Sequence, residues 1–172
     1  MVQMKLQNLF TRNLSLKTFL ILFIIILIPN ILRQVYYFIA TNKFYSIDFI
    51  ASFETREIFS SNFPLLGIGQ EILIGLIYAF LWFKFDFARF LSYGWITDAF
   101  IDFISVFLWV LIGFTPFQLI TQNVYIGFFL REIFFSYLIF GILFYKLKIN
   151  LRKLSFIFTG IGLLMLAIII LV

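Results

Sequence analysis

Two aspartates, Asp98 and Asp102, stand four residues apart inside SYGWITDAFIDFISVF, residues 92–107, a run otherwise dominated by aromatic and branched apolar residues. On a helix that spacing puts both carboxyls on one face, about one turn apart. Four more ionisable side chains interrupt apolar runs elsewhere: Arg33, Glu71, Arg131 and Glu132. A charge in bilayer hydrocarbon costs about 2.5–3.5 kcal/mol on insertion scales, so each of the six needs a partner, water or a task. Two arginines can hold an anionic group, whereas carboxyls can bind a cation or relay a proton. These six residues are the candidate substrate- or ion-binding set.

Other chemistry is excluded by what the chain lacks. It has no cysteine and no histidine, which removes thiolate nucleophiles, disulfides, His-ligated haem, zinc motifs and any Ser-His-Asp triad. No catalytic set, metal centre or cofactor is expected, and an enzyme is the less favoured class. Gly94-x3-Asp98-x3-Asp102 coincides with the tail of the CDP-alcohol phosphotransferase signature, D-x2-D-G-x2-A-R-x8-G-x3-D-x3-D. Upstream the chain offers only Asp86, Ala88 and Arg89, and four residues rather than eight separate Arg89 from Gly94. The signature's acids hold divalent metal together. With the set incomplete, the fragment carries no family resemblance.

These residues must be positioned by elements suited to lipid. Of 172 residues, 63% are hydrophobic and 12% charged, and the mean hydropathy is +1.09. Ordinary soluble domains carry about 25% charged residues, so the chain belongs to the membrane class. Its formal charge of +5 sits between apolar runs, where the positive-inside rule places bases. The bilayer is therefore the expected partner and nucleic acid is not.

About 20 helical residues cross a hydrocarbon core. Five runs satisfy this, at about 18–38, 64–83, 95–115, 124–145 and 154–172. The expected fold is an all-α integral membrane protein, a bundle of about five transmembrane helices forming a single polytopic domain over 1–172. Asn62 and Pro64 read as a helix start and Pro116 as a stop. The first run lacks a small-x-small cleavage site, so it reads as an uncleaved span. Basic residues cluster in the N-terminal tail (Lys5, Arg12, Lys17), around 84–89, and at Lys146, Lys148, Arg152 and Lys153. The intervening turns are neutral or acidic, which puts the N-terminus inside and the C-terminus outside. A bacterial-type cell membrane, crossed several times, is the expected location. Residues 44–59 have the spacing of an interfacial amphipathic helix.

Within this frame, Glu71 falls about 10 Å below the outer face, Arg131 and Glu132 about 12–14 Å, and Arg33 about 7 Å. Asp98 and Asp102 fall about 5 and 10 Å from the inner face, with Asp98 in the first turn of its helix, where the dipole favours an acid. Arg33 and Arg131 are expected to pair with Glu71 and Glu132, so that reversing Glu71 is compensated by reversing Arg131. Gly67, Glu71, Gly75, Tyr78 and Trp82 form one face, Asp98, Asp102, Ser105 and Trp109 another, Glu132 and Ser136 a third. Pro29-Asn30 is a point where the first span could open a polar pocket. The expectation that follows is a small solute or ion transport component, or a substrate-binding one, with Asp102 the residue its activity needs. The alternative is a non-enzymatic interaction protein, an assembly factor, scaffold or immunity-type protein, docking a larger membrane partner.

Overall fold

The computed structural model describes residues 15–41, 64–113, 126–127 and 129–171. The 44–59 segment, residues 1–14 with Lys5 and Arg12, Asn62 and Pro116 lie outside the described residues. Among those residues every regular element is helical: α1 (Leu16–Thr41), α2 (Pro64–Lys84), α3 (Arg89–Ile112), a π-helix (Phe129–Gly141) that runs straight into α4 (Ile142–Lys146), and α5 (Leu151–Leu171). Helices α1, α2, α3 and α5 are long and apolar enough to cross a membrane. Over its described residues the protein is an all-helical membrane protein. The fourth expected span is occupied, where described, by the π-helix and α4.

Helix α3 is the axis of the bundle. Half of its membrane window is buried, against 22–28% for the other three. Residues Ser92 to Ala99 are buried without a break, so neighbours enclose this stretch on all sides, which an all-round apolar helix requires in a packed interior. The π-helix, α1, α5, α4 and α2 all pack against it. Its crossing with the π-helix is a backbone contact. A Cβ on Gly94 would collide with the Tyr137 ring, and one on Gly141 would lie 2.8 Å from the Phe90 carbonyl oxygen. Small residues let membrane helices approach this closely.

The start of α3 differs from expectation, and the difference matters. The helix begins at Arg89, six residues before the expected Trp95. The 85–88 turn closes immediately after α2, with Ala88 N–H bonded to Phe85 O at 3.1 Å. No breaker follows it, so the chain re-enters a helix at once. At the other end Gly113 caps α3 in the left-handed conformation (φ 79°), its N–H donating to Trp109 O. Asp98 is thus nine residues from the first end, about 14 Å, and Asp102 ten residues from the second, about 15 Å. The expected placement of Asp98 in a first turn, at an inner mouth, is corrected. Both aspartates stand at the middle of α3.

The first span also departs from expectation. Helix α1 runs unbroken through Pro29. Proline has no N–H, so it orphans the carbonyl of Ile25 four residues earlier. Ser155 on α5 supplies the missing donor, its hydroxyl bonding Ile25 O at 2.6 Å. Asn30 Nδ2 donates to the next carbonyl, Ile26 O, at 3.0 Å. Hydrocarbon offers no water to the Ile25 oxygen, so a side chain must satisfy it.

Ser155→Ala is expected to cost about 0.6–2 kcal/mol, read as a lower thermal midpoint in detergent. In a Pro29→Ala background the restored backbone N–H reaches Ile25 O, and the serine should then cost much less. An equal cost in both backgrounds would refute this role.

Candidate functional site

All six candidate residues meet in one buried cluster, and three spans plus the π-helix contribute. Arg33 of α1 is fully buried at 0% exposure. Its Nη2 lies 2.6 Å from Glu71 Oε1 on α2, and its Nη1 lies 2.6 Å from Asp98 Oδ2 and 3.3 Å from Asp102 Oδ2 on α3. Asp102 turns its other oxygen to the π-helix, where Arg131 Nη1 is 2.7 Å away. Arg131 Nη2 bonds Glu132. The sequence of contacts runs Glu71, Arg33, Asp98 and Asp102, Arg131, Glu132.

Polar side chains from the same helices complete it. Gln34 Nε2 donates to Glu71 Oε1 at 2.8 Å. Glu71 Oε2 is buried and has no hydrogen-bond partner among the described residues. Ser136 Oγ lies 3.2 Å from Asp98 Oδ1 and 2.8 Å from the Arg131 carbonyl oxygen. That second contact reaches five residues back, the register of a π-helix. The same register sets Glu132, Ser136 and Gly141 on the inner face. Towards the 85–88 end, the Tyr78 and Tyr137 hydroxyls lie 3.2 Å apart, and Tyr78 is set edge-on to Trp95.

The expected pairs Arg33–Glu71 and Arg131–Glu132 are present. The expectation of an outer group separate from two inner aspartates is overturned, because the early start of α3 carries Asp98 and Asp102 up to the arginines. Glu71 bonds Arg33 and not Arg131, so the partner for compensation is Arg33. Gly75 packs as expected, with a hypothetical Cβ 3.2 Å from both Phe23 and Trp95. Trp109 does not: it is 43% exposed at the far end of α3, while Asp98, Asp102 and Ser105 are buried. Gln34 and Asn30 are not among the six candidates, although Asn30, Arg33 and Gln34 follow at i, i+3 and i+4 on one face of α1.

Chemically the cluster is rich in acid. Arg33 is one guanidinium shared by three carboxylates, and Arg131 is shared by two. Asp98, Asp102 and Glu132 each bring an oxygen within 4.8 Å of the others, a spacing a metal ion can bridge. Here arginines fill the bridging positions, Arg33 between Asp98 and Asp102 and Arg131 between Asp102 and Glu132. Asp86, the upstream acid of the phosphotransferase-like fragment, sits elsewhere, 52% exposed and bound to Arg89. Among the described residues no set of four converging acids forms with it.

An acid-rich cluster answers unequally to neutralisation. Arg33→Gln strands three buried carboxyls and is expected to cost about 3–5 kcal/mol. Glu71→Gln or Asp98→Asn relieves the excess and should cost under about 1 kcal/mol. Thermal unfolding in detergent checks the asymmetry, and equal losses for arginine and acid variants would contradict it.

No protein-family model, curated protein or solved structure matches this chain, so its functional reading rests on the chemistry of the cluster.

Proposed function

We propose that this protein is a small transport or solute-binding component of a membrane, and that its buried acids take up positive charge, a cation or a proton. The observation that carries the reading is the sharing of one fully buried guanidinium by Glu71, Asp98 and Asp102. Uncompensated carboxylates are costly in hydrocarbon, and intramembrane acids that persist there serve ion paths and proton relays. Ser136 adds support. Its hydroxyl has one proton and two acceptors, Asp98 Oδ1 and Arg131 O. When the proton goes to the carbonyl, a proton on Asp98 is what makes the second contact a hydrogen bond. An anionic solute fits less well, since both guanidiniums are already engaged by acids and would have to surrender them.

Five spans in a bacterial-type cell membrane, with the N-terminus inside and the C-terminus outside, complete the proposal. The 85–88 and 147–150 turns lie side by side, since the Tyr145 hydroxyl donates to Asp86 at 3.1 Å and the Tyr93 hydroxyl to Ile149 O at 2.5 Å. Their bases share one end of the bundle, and the positive-inside rule assigns that end to the cytoplasm. A cysteine placed at position 150 should be labelled by an impermeant reagent only after the membrane is opened. Labelling in sealed, right-side-out cells would reverse the orientation.

The interaction-protein reading is favoured by one fact, the occlusion of the cluster: Arg33, Gln34, Glu71, Asp98 and Asp102 are each at most 2% exposed. A closed cluster can serve as a lock on helix register beneath a docking face. Reconstitution separates the two readings. Sealed vesicles carrying the protein and a pH-sensitive dye are challenged with proton, Na+, K+ and Mg2+ gradients. The transport reading expects movement of one of these ions, lost in Asp102→Asn while the variant remains folded. No movement, together with co-purification of a stoichiometric membrane partner, would establish the interaction reading instead.

A further inference from the structure

The end of the bundle that carries the 85–88 and 147–150 turns holds an excess of bases that the chain does not neutralise. Lys17 at the start of α1, Lys84 at the end of α2, Lys146 and Lys148 around the second turn, and Arg152 and Lys153 in the first turn of α5 are all exposed. Asp86, the acid described at this end, is already bound by Arg89 at 2.5 Å and by the Tyr145 hydroxyl. Arg152 and Lys153 also stand at the positive end of a 21-residue helix with no acid in its first turn. That placement works against the helix dipole. Each base raises the local potential, and no described acid answers it.

The surroundings of these bases are those of a headgroup boundary. Leu147, between Lys146 and Lys148, is 61% exposed, and Phe87 in the neighbouring turn is 63% exposed. The Arg89 guanidinium lies over Trp82 at 5.4 Å and that of Arg152 over Phe156 at 5.6 Å. Aromatic rings and long basic side chains at helix ends are the anchors of a membrane interface. A soluble anionic partner would leave Leu147 and Phe87 facing water, whereas lipid takes both through its acyl chains while its phosphates meet the lysines.

We propose that this basic rim binds anionic phospholipid headgroups and holds a shell of acidic lipid around this end of the protein. The proposal stands independently of the role of the buried ionic cluster. Juxtamembrane bases are drawn to acidic lipid over roughly a Debye length, and the attraction weakens as salt screens it.

The full chain, reconstituted in vesicles of phosphatidylcholine mixed with phosphatidylglycerol, is probed with spin-labelled versions of each lipid. Phosphatidylglycerol is expected to be retained at the protein surface on the order of tenfold over phosphatidylcholine. The preference should collapse in molar salt and in a variant combining Lys146→Gln, Lys148→Gln, Arg152→Gln and Lys153→Gln. Because loss of these bases can disturb insertion, the salt dependence of the unaltered protein decides by itself if the variant fails to assemble. Equal retention of the two lipids at low salt would overturn the proposal. So would a preference for phosphatidylglycerol that persists unchanged in molar salt, and so would binding of a soluble polyanionic peptide or RNA to the detergent-purified protein in preference to phosphatidylglycerol micelles.

Discussion

One guanidinium sets the terms for the interior of this protein. Arg33 lies in the middle of the bundle with no exposure, and hydrocarbon gives it nothing. It can be held only by acids on neighbouring helices, and these come from α2 through Glu71 and from α3 through Asp98 and Asp102. Asp102 then engages Arg131, which joins the π-helix to the same group. Apolar side chains give little direction to helix association in lipid, because the tails are as apolar as the side chains. The ionic cluster supplies that direction. Its bonds form only if α1, α2, α3 and the π-helix meet at one depth and one rotation.

The remaining packing is consistent with that register. The close approach at Gly94 and Gly141 draws the π-helix onto α3 and so brings Arg131, Glu132 and Ser136 within reach of Asp98 and Asp102. The π register lets two residues adjacent in the chain, Arg131 and Glu132, take part together. Such helices are rare and recur at functional sites. On α1, the carbonyl orphaned by Pro29 is met by Ser155 from α5, which ties the last span to the helix that carries Arg33. The polar interior therefore reaches every long helix of the bundle, directly or at one remove.

Much of this was legible in the residues. Long apolar runs exposed the spans, and six charges inside them exposed the cluster, because a charge in hydrocarbon has to be accounted for. The glycine stripe of α2 followed from helical spacing, and pairing of the two arginines with the two glutamates followed from charge, although charge alone matched Glu71 to Arg131 where the structure gives it Arg33. The depth of Asp98 and Asp102 did not. Placing the start of α3 at Trp95 rested on where apolar character intensifies, whereas the helix starts wherever the preceding turn closes, at Arg89. Six residues of helix are about 9 Å, enough to take Asp98 out of the first turn and to leave both aspartates near the middle of α3. The π register was equally hidden, since FLREIFFSYLIFG has no residue type that separates it from an α-helix. Gln34 escapes notice because a neutral amide carries no insertion penalty as conspicuous as a charge, although its spacing from Arg33 places it beside that residue on α1.

The central claim is that Arg33 and the aspartates of α3 hold each other, and a double-mutant cycle tests it most directly. Unfolding free energies of the unaltered protein, Arg33→Gln, Asp98→Asn and the double variant would be measured in one detergent at one pH. The account predicts a coupling energy of about 2 kcal/mol or more, with Asp98→Asn recovering part of the stability lost in Arg33→Gln. Additivity within about 0.5 kcal/mol would mean that the two residues do not interact, and the cluster could not be what orders the bundle.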